Sequence, residues 1–240
     1  MVGFALFFYY YIGLEGVILG ISLSFFPYII RIYKSFKNNK INFSLVRPRI
    51  GFIINSYALD LSRTFSGYTD KLIVAPLFGF AILGNYQLGI QILSILGILP
   101  GIVYQYILPR DSSGESNKKL KKITLTISII LAILGFILAP IILPVLFPKF
   151  IDAIEVIQIV SISVIPSTIN LIYISKFLGN ELSKIVLIGS GIFLAVQIVS
   201  IFVLGESIGV NGIAMALVLG ASSETMFLVS VNKLIYKFND

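Results

Sequence analysis

ITLTISIILAILGFILAPIILPVLF, residues 123–147, decides the fold, because 25 residues pass without a single charge. At about 1.5 Å of rise per residue, a helix of this length crosses a hydrocarbon core of about 30 Å. A spanning strand would alternate in polarity and end after about 9–11 residues, and this run does neither. Lys121 and Lys122 precede it and Lys149 follows it. Working outward, comparable runs cover residues 3–32, 50–78, 82–108, 151–177, 185–204 and 210–236. Together they predict an all-α integral membrane protein, a bundle of about six or seven transmembrane helices. The first run reads in two ways. It is either one tilted helix or a short segment ending near Tyr11 followed by a full span from Leu14.

Composition points the same way. The chain is 57% hydrophobic and 12% charged, about half the charge a soluble domain uses to cover its surface. A soluble enzyme is excluded on that ground, and an enzyme of any kind is not expected. With no cysteine and no histidine, disulfides, thiolate chemistry and the common zinc sites drop out, and no cofactor is implied. The net charge of +7 comes from clusters between the apolar runs. Arg31, Lys34, Lys37, Lys40, Arg47 and Arg49 form the first, and Arg110, Lys118, Lys119, Lys121 and Lys122 the second. Lys176 with Lys184, and Lys233 with Lys237, complete the series, while the alternate loops add only Lys149. This is a positive-inside pattern rather than a nucleic-acid face. It predicts a multi-pass protein of the cell membrane with a cytoplasmic C-terminus. Tyr28, Tyr33, Tyr104, Tyr106, Tyr173 and Tyr236 near the cytoplasmic ends, with Phe147 and Phe150 at an outer end, fit aromatic belts. Met1-Val2-Gly3-Phe4-Ala5 offers neither a basic n-region nor a cleavage site, so no removable signal is expected. A chain that opens inside an apolar stretch reads as truncated or as half of a larger protein.

Polar residues within the spans carry the functional information, since a charge at the bilayer centre costs about 2.5–3.5 kcal/mol on insertion scales. Asp60, Arg63, Asp70 and Lys71 share the run at 50–78. At roughly 100° per residue, Asp60, Arg63, Thr64, Gly67 and Lys71 fall on one side of the helix, with Asp70 at its margin. That side is expected to face a polar cavity. The structural alternative pairs Asp60 with Arg63, and Asp70 with another helix, only to lower the cost of burial. Asp70 and Lys71, towards the outer end, are the weaker pair because snorkelling is easier there. Glu224, within Ser222-Ser223-Glu224-Thr225, reads as a lone acid that is either protonated or paired, and so as a candidate proton or cation site. Gln87, Gln91, Asn170 and Gln197 suit helix–helix hydrogen bonding. Pro140, Pro144 and Pro148 suit a hinge or cavity wall, or a helix that frays at its outer end. The cluster from Asp111 to Lys118 reads as a solvated cytoplasmic loop.

Four stretches carry a resemblance. Asp70-Lys71-Leu72-Ile73-Val74 is followed by Leu83-Gly84-Asn85-Tyr86. Leu108-Pro109-Arg110-Asp111-Ser112, Pro144-Val145-Leu146-Phe147-Pro148-Lys149-Phe150-Ile151-Asp152-Ala153 and Ile208-Gly209-Val210-Asn211-Gly212-Ile213-Ala214-Met215-Ala216 come next in order. In sequence and spacing they resemble a polysaccharide or oligosaccharide flippase of the multidrug/oligosaccharidyl-lipid/polysaccharide exporter superfamily, although Pro148 replaces a glycine common in that outer loop. The resemblance implies one lobe of a twelve-helix flippase. Residues 1–30 would end an N-terminal lobe, 31–50 form a basic cytoplasmic linker, and 51–240 make a six-helix C-terminal lobe. It further implies flipping of lipid-linked sugar precursors from the cytoplasmic to the outer leaflet. In this reading Arg63, then Lys71, hold an anionic phosphate head, with Asp60 positioning Arg63. The bilayer and the lipid-linked sugar are the expected partners, together with a second copy or a separate N-terminal-lobe protein. A multidrug exporter coupled through Asp60 and Glu224, and a non-transporting remnant or accessory subunit, are the rival readings.

Overall fold

A computed structural model describes residues 2–38, 44, 47–115 and 117–237, and of Asn38, Arg63, Ser66, Tyr236 and Lys237 it describes the backbone alone. Lys40 and Ser116, and the side chains of Arg63, Tyr236 and Lys237, therefore lie outside the described residues. Among those described, every element is helical and no strand occurs. The chain divides into two compact units, Met1–Ile50 and Gly51–Asp240.

The first unit contains α1 (Val2–Ile12), α2 (Leu14–Leu23) and α3 (Phe26–Asn38). Gly13 separates α1 from α2 with φ of 76°, a conformation that glycine alone adopts without steric cost. The initial apolar run is thus two segments rather than one tilted helix. The 11 residues of α1 reach only about 16 Å and cannot cross a bilayer. The 24 residues of Leu14–Lys37 are long and apolar enough to do so. α2 sets Gly16 and Gly20 directly against the α1 backbone at Phe8 and Phe4, which small residues one turn apart permit.

The second unit comprises α4 (Ile50–Phe78), α5 (Phe80–Leu96), α6 (Ile98–Ser112), α7 (Lys118–Leu146), α8 (Ala153–Ile162), α9 (Val164–Gly179), α10 (Ser183–Ile208) and α11 (Val210–Lys237). Among the described residues five helical stretches could cross a membrane by length and composition: Leu14–Lys37, Lys118–Leu146, Ala153–Gly179, Ser183–Ile208 and Val210–Ile235. A sixth exists if α5 and α6 are taken as one span bent by 47°. α4 explains the shortfall from seven. Its 29 residues are long enough, but Asp60, Arg63, Asp70 and Lys71 make it too polar to count with the others.

The run at 82–108 is therefore broken at Gly97 rather than continuous. Pro100 stands in the first turn of α6, where its missing N–H would have no intrahelical partner anyway. The other proline cluster behaves differently. α7 passes through Pro140 and Pro144 without interruption and ends at Leu146, and Pro148 opens the short 3-10 turn Pro148–Phe150. At its other end, the Asn117 side chain accepts a hydrogen bond from the Leu120 N–H at 3.0 Å, capping the helix.

Three buried apolar clusters hold the second unit together. One gathers Val74, Tyr86, Val156, Val160, Ile201, Ile213, Ala214 and Ala216. Another joins Leu59, Ile174, Phe177, Val186 and Leu228, and a third Ala139, Leu143, Ala153 and Ile157. α4 contributes Leu59 to the second and Val74 to the first, so it runs past both. Glycines bring the helices close: Gly89 meets Val156, Gly135 meets Ser161, and Gly205 lies on the Phe78 ring. Outward-facing residues of α7 such as Ile133, Ile137, Ile141 and Val145 are exposed, an arrangement suited to lipid and unsuited to water.

The tightest seam lies between α10 and α11. Gly209, with φ of 66°, makes the turn between them, and a Cβ on Gly212 would run into the Leu204 carbonyl. Gly212→Ala is expected to lower stability by about 1–3 kcal/mol, read as an earlier unfolding transition in detergent. Gly191→Ala, at a position where a Cβ meets open space, should be neutral or slightly stabilising because alanine favours helix.

Candidate functional site

α4 distributes its polar residues over two sides. Asp60, Thr64, Gly67 and Tyr68 are exposed, and Lys71 is half-buried. The Thr64 hydroxyl donates to the Asp60 carbonyl at 2.8 Å, which satisfies it within the helix. The Lys71 ammonium sits 5.0 Å from the Tyr68 ring centroid, within cation–π range. Leu59, Asp70 and Val74 are buried. The edge formed by Asp60, Thr64, Gly67, Tyr68 and Lys71 is thus an anion, a hydroxyl, a phenol and a cation along one side of α4.

Asp70 does not belong to that edge, and it does not snorkel. It is only 4% exposed. The Tyr86 hydroxyl on α5 donates to Asp70 Oδ2 at 2.7 Å, and the Lys71 backbone N–H donates to Oδ1 at 2.8 Å. Gln197 on α10, also buried, lies beside that hydroxyl. Asp70 and Tyr86 therefore tie α4 to α5. Both come from the first stretch quoted for the resemblance.

Glu224 is not a lone acid. Asn170 Nδ2 on α9 donates to Glu224 Oε2 at 2.9 Å and to the Ala221 carbonyl at 3.1 Å. The Thr225 hydroxyl lies 2.6 Å from Asn170 Oδ1 and 3.1 Å from the Pro166 carbonyl. This group stitches α9 to α11. Asp60 and Glu224 stand in separate surroundings, one exposed on α4 and one buried against α9.

Sequence reasoning missed a third group. Asp111 lies in the last turn of α6 and is buried, not in a solvated loop. Lys121 Nζ on α7 reaches both of its oxygens, at 2.7 and 2.8 Å, and the Ser175 hydroxyl on α9 donates to Oδ2 at 2.7 Å. Next to Ser175, Lys176 Nζ donates to Asn232 Oδ1 on α11 at 2.8 Å. Gly179 lets the α9 backbone approach that of Asp111. The surrounding Ser112-Ser113-Gly114 hides the signal, because these residues look like a turn; the small residues at 175 and 179 of α9 were the available clue.

Compared with protein-family models, curated proteins and solved structures, the chain matches none. The site is accordingly read from its own chemistry. The bonds around Asp111 and around Glu224 join helices to one another, whereas the edge of α4 is exposed.

Removing Lys121 tests the bonds around Asp111. Lys121→Met strands a buried carboxylate and is expected to cost about 3–5 kcal/mol. The double variant Asp111→Asn with Lys121→Met should recover part of that loss, measured by equilibrium unfolding in detergent.

Proposed function

We propose that this chain is one lobe of a membrane transporter that moves lipid-linked sugar precursors between leaflets, handling their anionic phosphate heads. The observation that carries the reading is the polar edge of α4. A helix of spanning length that exposes Asp60, Thr64, Tyr68 and part of Lys71 needs a polar surface or cavity beside it, since such groups are costly against lipid. Phosphate heads match that edge in sign through Lys71, and in this reading Arg63 is the first cation to hold them, with Asp60 positioning Arg63. Orientation with the C-terminus in the cytoplasm belongs to the same reading and rests on the alternation of basic clusters.

The placement of Asp70 gives the edge its support. Its bond to Tyr86 ties α4 to α5, and with Leu59 and Val74 buried α4 is not free to turn its charges elsewhere. Lysine and arginine differ in this role: arginine offers a planar fork that grips two phosphate oxygens, lysine a point charge.

The decisive variant is Arg63→Ala. Expressed in a strain lacking a lipid-linked-sugar flippase, the parent chain should restore growth with its partner lobe present. Arg63→Ala should abolish that rescue at equal membrane levels, and Arg63→Lys should retain a part. Full rescue by Arg63→Ala at normal expression would overturn the assignment.

A further inference from the structure

α3 separates apolar from polar residues more sharply than any other described helix. At roughly 100° per residue, Phe26, Ile29, Tyr33 and Phe36 line one side, flanked by Ile30 and Ile32. Pro27, Arg31, Lys34 and Ser35 line the other. All of these are exposed, Tyr33 by 68%. Lys37 falls at the edge of the apolar side, where its long stem lets the ammonium reach out of it.

Two further observations bear on what meets this helix. Between Glu15 and Asp60 the sequence places Arg31, Lys34, Lys37, Lys40, Arg47 and Arg49, and no acidic residue. In addition, Leu14–Lys37 is 24 residues long, whereas the hydrocarbon core takes up about 20. Counted from Leu14, the turns from about Lys34 onward therefore reach headgroup depth, and Arg31, one turn before, reaches it with its long side chain.

An aromatic and aliphatic side, a cationic side opposite, and a position at the edge of the hydrocarbon together define the occupant. A nucleic acid or acidic peptide would engage the cations and leave Tyr33 and Phe36 in water. A zwitterionic lipid would cover the aromatics and leave the charge unused. We infer that the end of α3 is a binding surface for anionic phospholipid. Tyr33 and Phe36 lie among acyl chains, while Arg31 and Lys34 meet the phosphates of the same leaflet. This surface uses other residues than the polar edge of α4 and does not depend on transport.

The absence of cysteine makes the test direct, because one introduced thiol reports one position. The full chain carrying Tyr33→Cys or Ser35→Cys is labelled with an environment-sensitive fluorophore. It is then reconstituted in nanodiscs of phosphatidylcholine alone, or with a third of the lipid as phosphatidylglycerol. With phosphatidylglycerol the label at 33 should be blue-shifted and shielded from aqueous quencher, and the label at 35 should stay accessible. Added salt should weaken that contrast. Replacing Arg31, Lys34 and Lys37 with Gln should remove the dependence on phosphatidylglycerol, each charge contributing about fivefold to the lipid preference. Equal quenching at both positions in both lipids, or a contrast indifferent to phosphatidylglycerol, would overturn the inference. The readings at 33 and 35 use the native charges, so they stand even if the triple variant folds poorly.

Discussion

A carboxylate inside an apolar helix bundle has no water to turn to, so another helix must supply its donors. Three carboxylates here are in that position. Asp70 takes a proton donor from Tyr86, Asp111 from Lys121 and Ser175, and Glu224 from Asn170. In lipid, apolar side chains give no preference for one neighbour over the surrounding acyl chains, and a plain helix can rotate about its axis at little cost. A directed bond to one atom on one neighbouring helix removes that freedom. α9 gathers most of these bonds: Thr168 meets Ser128 of α7 at 2.8 Å, Asn170 meets α11, and Ser175 meets α6. It acts as the reference against which α6, α7 and α11 are set.

Glycines settle distance where the polar bonds settle rotation. Gly89 against Val156, Gly179 against Asp111 and Gly212 against Leu204 bring backbones closer than any side chain allows. At Gly179 the two devices coincide, and the close approach carries Ser175 to within bonding distance of Asp111. Substituting that glycine would thus loosen a hydrogen bond one turn away as well as a packing contact.

The spanning helices were legible because a charge-free run of 25 residues admits few alternatives in water or lipid. The breaks were less so. Gly13 lies between two apolar segments with no polar residue to mark the turn, and Gly97 is one glycine among several in its run. Asp60, Arg63, Asp70 and Lys71 stand out in the sequence because charge within a span is conspicuous. Asp70 was set at the margin of the side shared by Asp60, Arg63 and Lys71, with pairing to another helix as the structural alternative. A helical wheel gives angles and not neighbours, so the partner could not be named. Its partner Tyr86 is an ordinary aromatic until α5 folds beside α4. Asp111 was hidden by company, its Ser-Ser-Gly surroundings being those of a loop. Only the tertiary arrangement brings Lys121 and Ser175 to it.

The cluster that joins Leu59 to Phe177, Val186 and Leu228 has a consequence for biosynthesis. Leu59 leaves the ribosome well before Leu228, and at about 5–20 residues per second the interval is roughly 10–30 s. Over that time α4 is complete while its packing partners on α10 and α11 do not yet exist. A segment bearing Asp60, Arg63, Asp70 and Lys71 must therefore be sheltered during elongation, by the insertion machinery or by helices made before it. α10 and α11, joined through Gly209, are the last of the described helices to be made. Late assembly of this kind makes the polar helix the step at which quality control would recognise a chain that has stalled.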